Sequence, residues 1–138
     1  MRVVGLDLGG RWIGVAVCDE TGTLASPDRV IQRSPDDAAT HAAIAGVVAE
    51  LGAERVVVGL PLSLDGTVGP AAAAATAEAD VLAGVLPVPV ETYDERLTTV
   101  SAERSMRQAG MRAKARRRAV DKVAAAVMLQ SWLDGRRP

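Results

Sequence analysis

The chain has 138 residues, enough for one domain with a real core and too few for two independent lobes. Its apolar content of 49 % is dominated by 25 Ala and 19 Val; Phe is absent and the aromatics are Trp12, Tyr93 and Trp132, which argues against a sheet that reads bases by stacking. The formal charge of −1 conceals −9 over residues 1–95 (5 Arg, 14 Asp/Glu) and +8 over residues 96–138 (9 Arg, 2 Lys, 3 Asp/Glu), a polarity that suits either a polyanion partner or internal pairing.

Met1-Arg2-Val3-Val4 runs directly into an apolar strand without a cationic leader or cleavage site, so neither an export signal nor a membrane helix is expected and a cytoplasmic location is. Val3 to Leu8 and Ile13 to Cys18 predict adjacent strands joined by Gly9-Gly10-Arg11-Trp12. Cys18 is the single cysteine, which excludes a disulfide framework and a four-Cys metal site and fits a reducing cytosol. Glu20-Thr21-Gly22-Thr23 marks a turn, and Leu24 to Gln32 predicts a third strand weakened by Pro27, completing an antiparallel meander.

Ser34-Pro35-Asp36-Asp37 predicts a helix start, with Ser34 as N-cap and Pro35 in the first helical position, and the helix continues from Ala38 to Leu51. Arg55 to Leu60 reads as a strand buried on both faces. Pro61 to Gly69 is a loop; Pro70 opens an Ala-rich helix that stops near Gly84, and Val88 to Tyr93 is a short strand. Thr98 to Ala109 predicts another helix, Met111 to Arg118 is basic without an apolar stripe, and Ala119 to Leu133 is the last helix. The order predicts an α/β fold over residues 1–138 as a single domain: a mixed five-stranded sheet, three meander strands then alternating helices and parallel strands, with helices on both faces.

Three acidic positions interrupt this pattern. Asp7 in Gly5-Leu6-Asp7-Leu8-Gly9 lies in a strand expected mid-sheet, where a carboxylate is costly to desolvate unless it meets a metal, a cation or donors; capping its own turn is the bland alternative. Asp94-Glu95-Arg96 lies where the last strand ends, the region where α/β sheets gather their sites; either Asp94 or Glu95 could point inward, and Arg96 could meet a phosphate or pair with an acid. Asp121 shares a helical stripe with Ala125, Met128 and Trp132, or simply favours a first helical turn. Three such acids without His or Cys repel one another unless cations compensate them, and hard oxygen ligands select Mg²⁺ or Mn²⁺, the chemistry of two-metal phosphodiester cleavage.

The segments Gly5 to Gly9 through Ile13 to Val17, Val57 to Leu62 with Asp65-Gly66-Thr67, Asp94 to Thr99, and Val120-Asp121 with Ala124-Ala125 and Leu129-Gln130 together resemble the YqgF (RuvX) family, nucleases of the RNase H-like superfamily akin to Holliday-junction resolvases. The resemblance spans almost the full chain in order. It implies an RNase H-like fold and a metal-dependent nuclease in which Asp7, Glu95 and Asp121 hold two Mg²⁺ or Mn²⁺ ions, with Asp94 as an alternative. It further implies maturation of the 5′ end of precursor 16S rRNA in ribosome biogenesis; cleavage of branched DNA is the alternative within the family. Trp12 departs from the more polar residue of many relatives, while Arg11 keeps a positive charge beside the first acid.

Around this set, Gly9 allows close backbone approach, and Ser63 or its neighbouring backbone could hold a phosphate, although Asp65-Gly66 could equally do no more than shape a turn. Arg116, Arg117 and Arg118 are either a solvated face or a clamp on a nucleic-acid backbone. His41, far from the acids, is expected to be structural, and Trp132 and Met128 to be core, an exposed Trp132 being the sign of an oligomer contact; a monomer or homodimer is expected, with no membrane partner. Two rival functions are a nucleotide-binding protein of the actin and sugar-kinase type, suggested by Asp7-Leu8-Gly9-Gly10, and a non-catalytic nucleic-acid-binding module. The first needs a second lobe for which the chain has no length.

Overall fold

The computed structural model describes residues 1–62, 65–94 and 113–136, with the helical backbone alone over 113–121. Five strands form one mixed sheet: β1 (Val3–Leu8), β2 (Trp12–Cys18), β3 (Ala25–Gln32), β4 (Arg55–Leu60) and β5 (Val90–Asp94), in the spatial order β3-β2-β1-β4-β5. The first three are antiparallel neighbours, whereas β1–β4 and β4–β5 are parallel, as crossover helices require. This is the architecture expected from the order of β-branched runs and Ala-rich segments.

Strand alternation divides the core into two layers. Val4, Leu6, Ile13, Val15, Val56 and Val58 face α1 (Asp37–Glu50) and α2 (Pro70–Val85), which contribute Ile44, Val48, Ala79 and Leu82. Val3, Ala16, Cys18 and Val57 face α3 (Ala113–Gly135), which contributes Ala125, Met128, Leu129 and Trp132. Trp132 is only 5 % exposed and stacks beneath Arg136, so it belongs to the core.

Local chemistry moves two boundaries and keeps Pro27 within its strand. Asp36, not Ser34, is the α1 N-cap: its carboxylate accepts from Ala38 N at 3.1 Å, while Ser34 N donates to Thr40 Oγ1 and holds Ser34-Pro35 in the turn before the helix. Pro27 remains inside β3 because this is an edge strand with a bulge opposite Val15 and Ala16, where a missing N–H is tolerated. α3 begins at Ala113 rather than near Ala119; Lys, Arg and Ala are strong helix formers, so the basic run joins the helix without an apolar stripe to direct it. The helix expected over Thr98 to Ala109 lies outside the described residues.

Candidate active site

Asp7 stands at the carboxyl end of β1, half-buried, on the face covered by α3: Val3 and Gly5, which share its side of the strand, both pack against that helix. Its antiparallel partner is Gly14. On the other side the register Leu6↔Val58, carried one residue further, brings it level with Gly59, which in turn pairs with Tyr93. No side chain from either neighbouring strand therefore stands beside the Asp7 carboxylate at its own level. Sequence reasoning missed Gly14 and Gly59; their meaning depends on a register that no single strand displays.

The direction of α3 follows from its polar contacts. Gln130 accepts from Ala25 N at 2.8 Å and donates to Thr23 O at 2.9 Å, at the end of the sheet where β3 and β1 begin. Earlier in the helix, a Cβ on Gly5 would sit 3.0 Å from Leu129 Cβ and 3.3 Å from the Ala125 carbonyl. The helix thus runs back along β1, and residue 121 is four residues, about 6 Å, before Ala125. That is the direction in which β1 advances from Gly5 to Asp7, by roughly 6.6 Å.

Asp94 lies differently. Val90 packs into the layer of α1 and α2, whereas Tyr93 packs against α3 and its hydroxyl is 2.7 Å from Ser131 Oγ. Alternation along β5 then puts Asp94 on the face opposite to Asp7. Glu95, Arg96 and Ser63 lie outside the described residues, as do the side chains of Arg116, Arg117, Arg118 and Asp121. Among the described residues no group of three His, Cys, Asp or Glu is assembled that could hold a metal. What is described fits a hard cation in its donor chemistry: a half-buried carboxylate at a strand end, flanked by glycines.

The turn after β1 is closely held. Gly9 N donates to Asp7 O and to Trp12 O, both at 3.1 Å, and a Cβ on Gly9 would lie 2.6 Å from Trp12 O, so only glycine fits. Gly10 and Arg11 are exposed beyond it. Arg33 Nε donates to Gly9 O at 2.7 Å, and its two Nη groups make a bidentate pair with Glu78 at 2.8 and 2.6 Å. Glu78 also contacts His41 Nε2 at 2.9 Å. Hydrogen bonding from Arg33 outweighs burial and holds the Glu78 carboxyl below the usual carboxylate range, and the same bond raises the Arg33 guanidinium. His41 is buried and structural, as expected, but its network with Arg33 and Glu78 joins positions 37 and 45 residues apart in sequence, beyond the reach of any local pattern. Asp65 accepts from Thr67 N and Oγ1, and Gly66 has φ +87°, the arrangement of a backbone-shaping turn.

The two helical layers carry opposite charge. α1 and α2 contain Asp37, Glu50, Glu78 and Asp80 and no Lys or Arg, whereas α3 contains Lys114, Arg116, Arg117, Arg118 and Lys122 against Asp121 and Asp134. Glu50 and Glu78 are paired with Arg29 and Arg33, so the contrast that remains among the described helices is between Asp37 and Asp80 on one side and the basic start of α3 on the other. No helix among the described residues is long and apolar enough to cross a membrane.

Comparison with known proteins agrees with this arrangement. A family model described as "RuvX: Holliday junction resolvase" matches residues 1–135. A Mycobacterium sp. (strain KMS) protein named "Putative pre-16S rRNA nuclease" is 49 % identical over 99 % of this chain and 81 % of its own. A Chloroflexus aggregans protein of the same name is 47 % identical over 98 % and 94 %. Among solved structures, T. thermophilus RuvC in complex with Holliday junction substrate superposes with a TM-score of 0.59 at 21 % identity, covering 99 % of this chain and 96 % of that one. The likeness shows a shared RNase H-like fold.

Proposed function

This chain belongs to the RuvX family and is a nuclease, and from that premise we propose that it hydrolyses phosphodiester bonds of RNA with divalent metal ions, maturing the 5′ end of precursor 16S rRNA in the cytoplasm. Asp7, Glu95 and Asp121 hold the ions, Mg²⁺ or Mn²⁺. The observation that carries the metal site is the setting of Asp7: a half-buried carboxylate on the α3 face, between Gly14 and Gly59, with the helix that bears residue 121 running back along its strand. Asp94, on the opposite face, is the poorer partner for Asp7, which leaves Glu95 as the second carboxylate.

Divalent ions held by Asp7, Glu95 and Asp121 would supply activation of the attacking water and stabilisation of the leaving oxygen. The chain's own residues do the rest. Asp7 supplies a carboxylate whose backbone is tied into the Gly9 turn, so its position is set before substrate arrives. The glycines beside it let a phosphate come close to the sheet. Arg116, Arg117 and Arg118, on the cationic helix, hold the substrate backbone, and exposed Arg11, with Arg96 and Ser63, supplies further phosphate contacts; the Gly9 N–H is already engaged by Asp7 O and Trp12 O, so Gly9 contributes space and no donor. The α1 and α2 helices carry no Lys or Arg and add Asp37 and Asp80, whereas α3 is cationic, which favours nucleic acid on the α3 side.

The test is cleavage of a precursor 16S rRNA 5′ leader, a single-stranded RNA and a four-way DNA junction in Mg²⁺ or Mn²⁺, by wild type and Asp7→Asn. Preferred cleavage of the leader, lost in the variant, is expected. Preference for the junction would favour branched DNA as substrate, the reading that the family description and the RuvC likeness support. Metal-independent binding without cleavage of any substrate would identify a non-catalytic module.

A further inference from the structure

We propose that Arg33 is a positioning residue for Asp7, and that its network with Glu78 and His41 sets how tightly the site holds a divalent ion. The inference rests on the reading of Asp7 as a metal-holding carboxylate. The physical connection is continuous. Arg33 Nε donates to Gly9 O at 2.7 Å, and Gly9 N donates to Asp7 O at 3.1 Å, so the guanidinium and the Asp7 backbone meet on one residue. Arg33 N also donates to Arg11 O at 2.9 Å, which pins the turn at a second point.

The far end of Arg33 is equally fixed. Both Nη groups pair with Glu78 of α2, and Glu78 is braced by His41 of α1, with side-chain exposures of 19 %, 15 % and 10 % for Arg33, Glu78 and His41. A planar guanidinium reaches the Gly9 carbonyl and both Glu78 oxygens at once; a lysine ammonium is a point donor and cannot. The network holds the turn that ends β1 to two helices on the opposite side of the sheet from α3. Partners that hydrogen-bond a metal-binding group directly are worth about 10–100-fold in metal affinity, and Arg33, which acts on Asp7 through the Gly9 backbone, falls at the lower end of that range.

The experiment measures Mn²⁺ binding by titration calorimetry without nucleic acid, the melting temperature without metal, and the Mn²⁺ concentration giving half-maximal cleavage. Arg33→Lys and Glu78→Gln are compared with Glu50→Gln, which breaks an exposed pair with Arg29. Glu78→Gln preserves side-chain volume and provides a folded variant should Arg33→Lys prove unstable. Mn²⁺ affinity about tenfold weaker in both network variants, with cleavage restored at saturating Mn²⁺ and no change in Glu50→Gln, is the expected result. Mn²⁺ affinity equal to wild type, with only the melting temperature lowered, would reduce the network to a structural tether and overturn the proposal. Asp7→Asn separates the two levels: if it binds Mn²⁺ as wild type does, the metal-site reading itself fails; if it loses binding while Arg33→Lys keeps it, only the positioning role fails.

Discussion

Gly5→Ala adds one methyl group at the place where α3 lies closest to the sheet. The new Cβ would stand 3.0 Å from Leu129 Cβ, 3.3 Å from the Ala125 carbonyl and 3.4 Å from Met128 Cε. Carbon atoms pack best at about 3.5–4.0 Å, so the overlap with Leu129 is roughly 0.5–1 Å, and Leu129 Cβ cannot move without its helix. Met128 Cε, at the end of a flexible chain, can. Overpacking of this kind costs about 1–3 kcal/mol, offset by roughly 0.5–1 kcal/mol because alanine has less unfolded-state freedom than glycine. A net loss of about 0–2.5 kcal/mol in urea denaturation follows. Gly46→Ala is the matched control: it lies in the middle of α1 with nothing within 4 Å of its Cβ, and the same chemical change there should stabilise by about 0.5–1 kcal/mol. Lifting α3 also displaces residue 121 relative to Asp7, so Gly5→Ala should raise the metal concentration needed for cleavage. If Gly5→Ala stabilised the protein as Gly46→Ala does, the seating of α3 on β1 described above would be wrong.

Gly14→Val puts a branched side chain directly beside Asp7 across the β1–β2 pair, where facing Cβ atoms are about 4.5–5.5 Å apart; metal-dependent cleavage should fall at least tenfold, and wild-type cleavage rates would contradict a role for the Gly14 position beside the carboxylate. Glu78 gives a pH signature. Its carboxyl is depressed by Arg33, so its stabilising contribution is present above the ordinary value of 4.5 and is lost as pH falls through the lower folded value, because the unfolded state takes up the proton first. Denaturation at pH 6 and pH 4 should therefore show a larger acid loss in wild type than in Glu78→Gln, and equal losses would refute the assignment. Neutralising Arg116, Arg117 and Arg118 together should weaken RNA binding and lower the slope of log affinity against log salt by roughly 2 if all three contact phosphate; an unchanged slope would leave that face merely solvated.

Much of this fold could be read from the chain. Unbroken β-branched runs need burial on both faces, and Arg55–Leu60, with Val56, Val57 and Val58 in succession, forms the parallel strand β4 between β1 and β5 for that reason. The meander was legible in the Gly9-Gly10 and Thr21-Gly22 turns. What the sequence concealed was relational. The first two turns of α3 carry no apolar stripe, so only helix propensity marks them. The face that Asp94 takes depends on the alternation frame of β5, which becomes visible once Tyr93 is seen against Ser131. Gly14 and Gly59 look like ordinary strand glycines until register brings both beside one carboxylate. Arg33, Glu78 and His41 belong to three separate segments, and no local pattern joins them.

Function here depends on which carboxylates share the ions. Mn²⁺ titration of Asp7→Asn, Asp94→Asn, Glu95→Gln and Asp121→Asn, each checked for folding by circular dichroism, measures this directly. Binding and cleavage should be lost in the variants at 7, 95 and 121 and retained in Asp94→Asn, whose side chain lies on the other face of the sheet. Loss in Asp94→Asn with retention in Glu95→Gln would contradict the site as drawn.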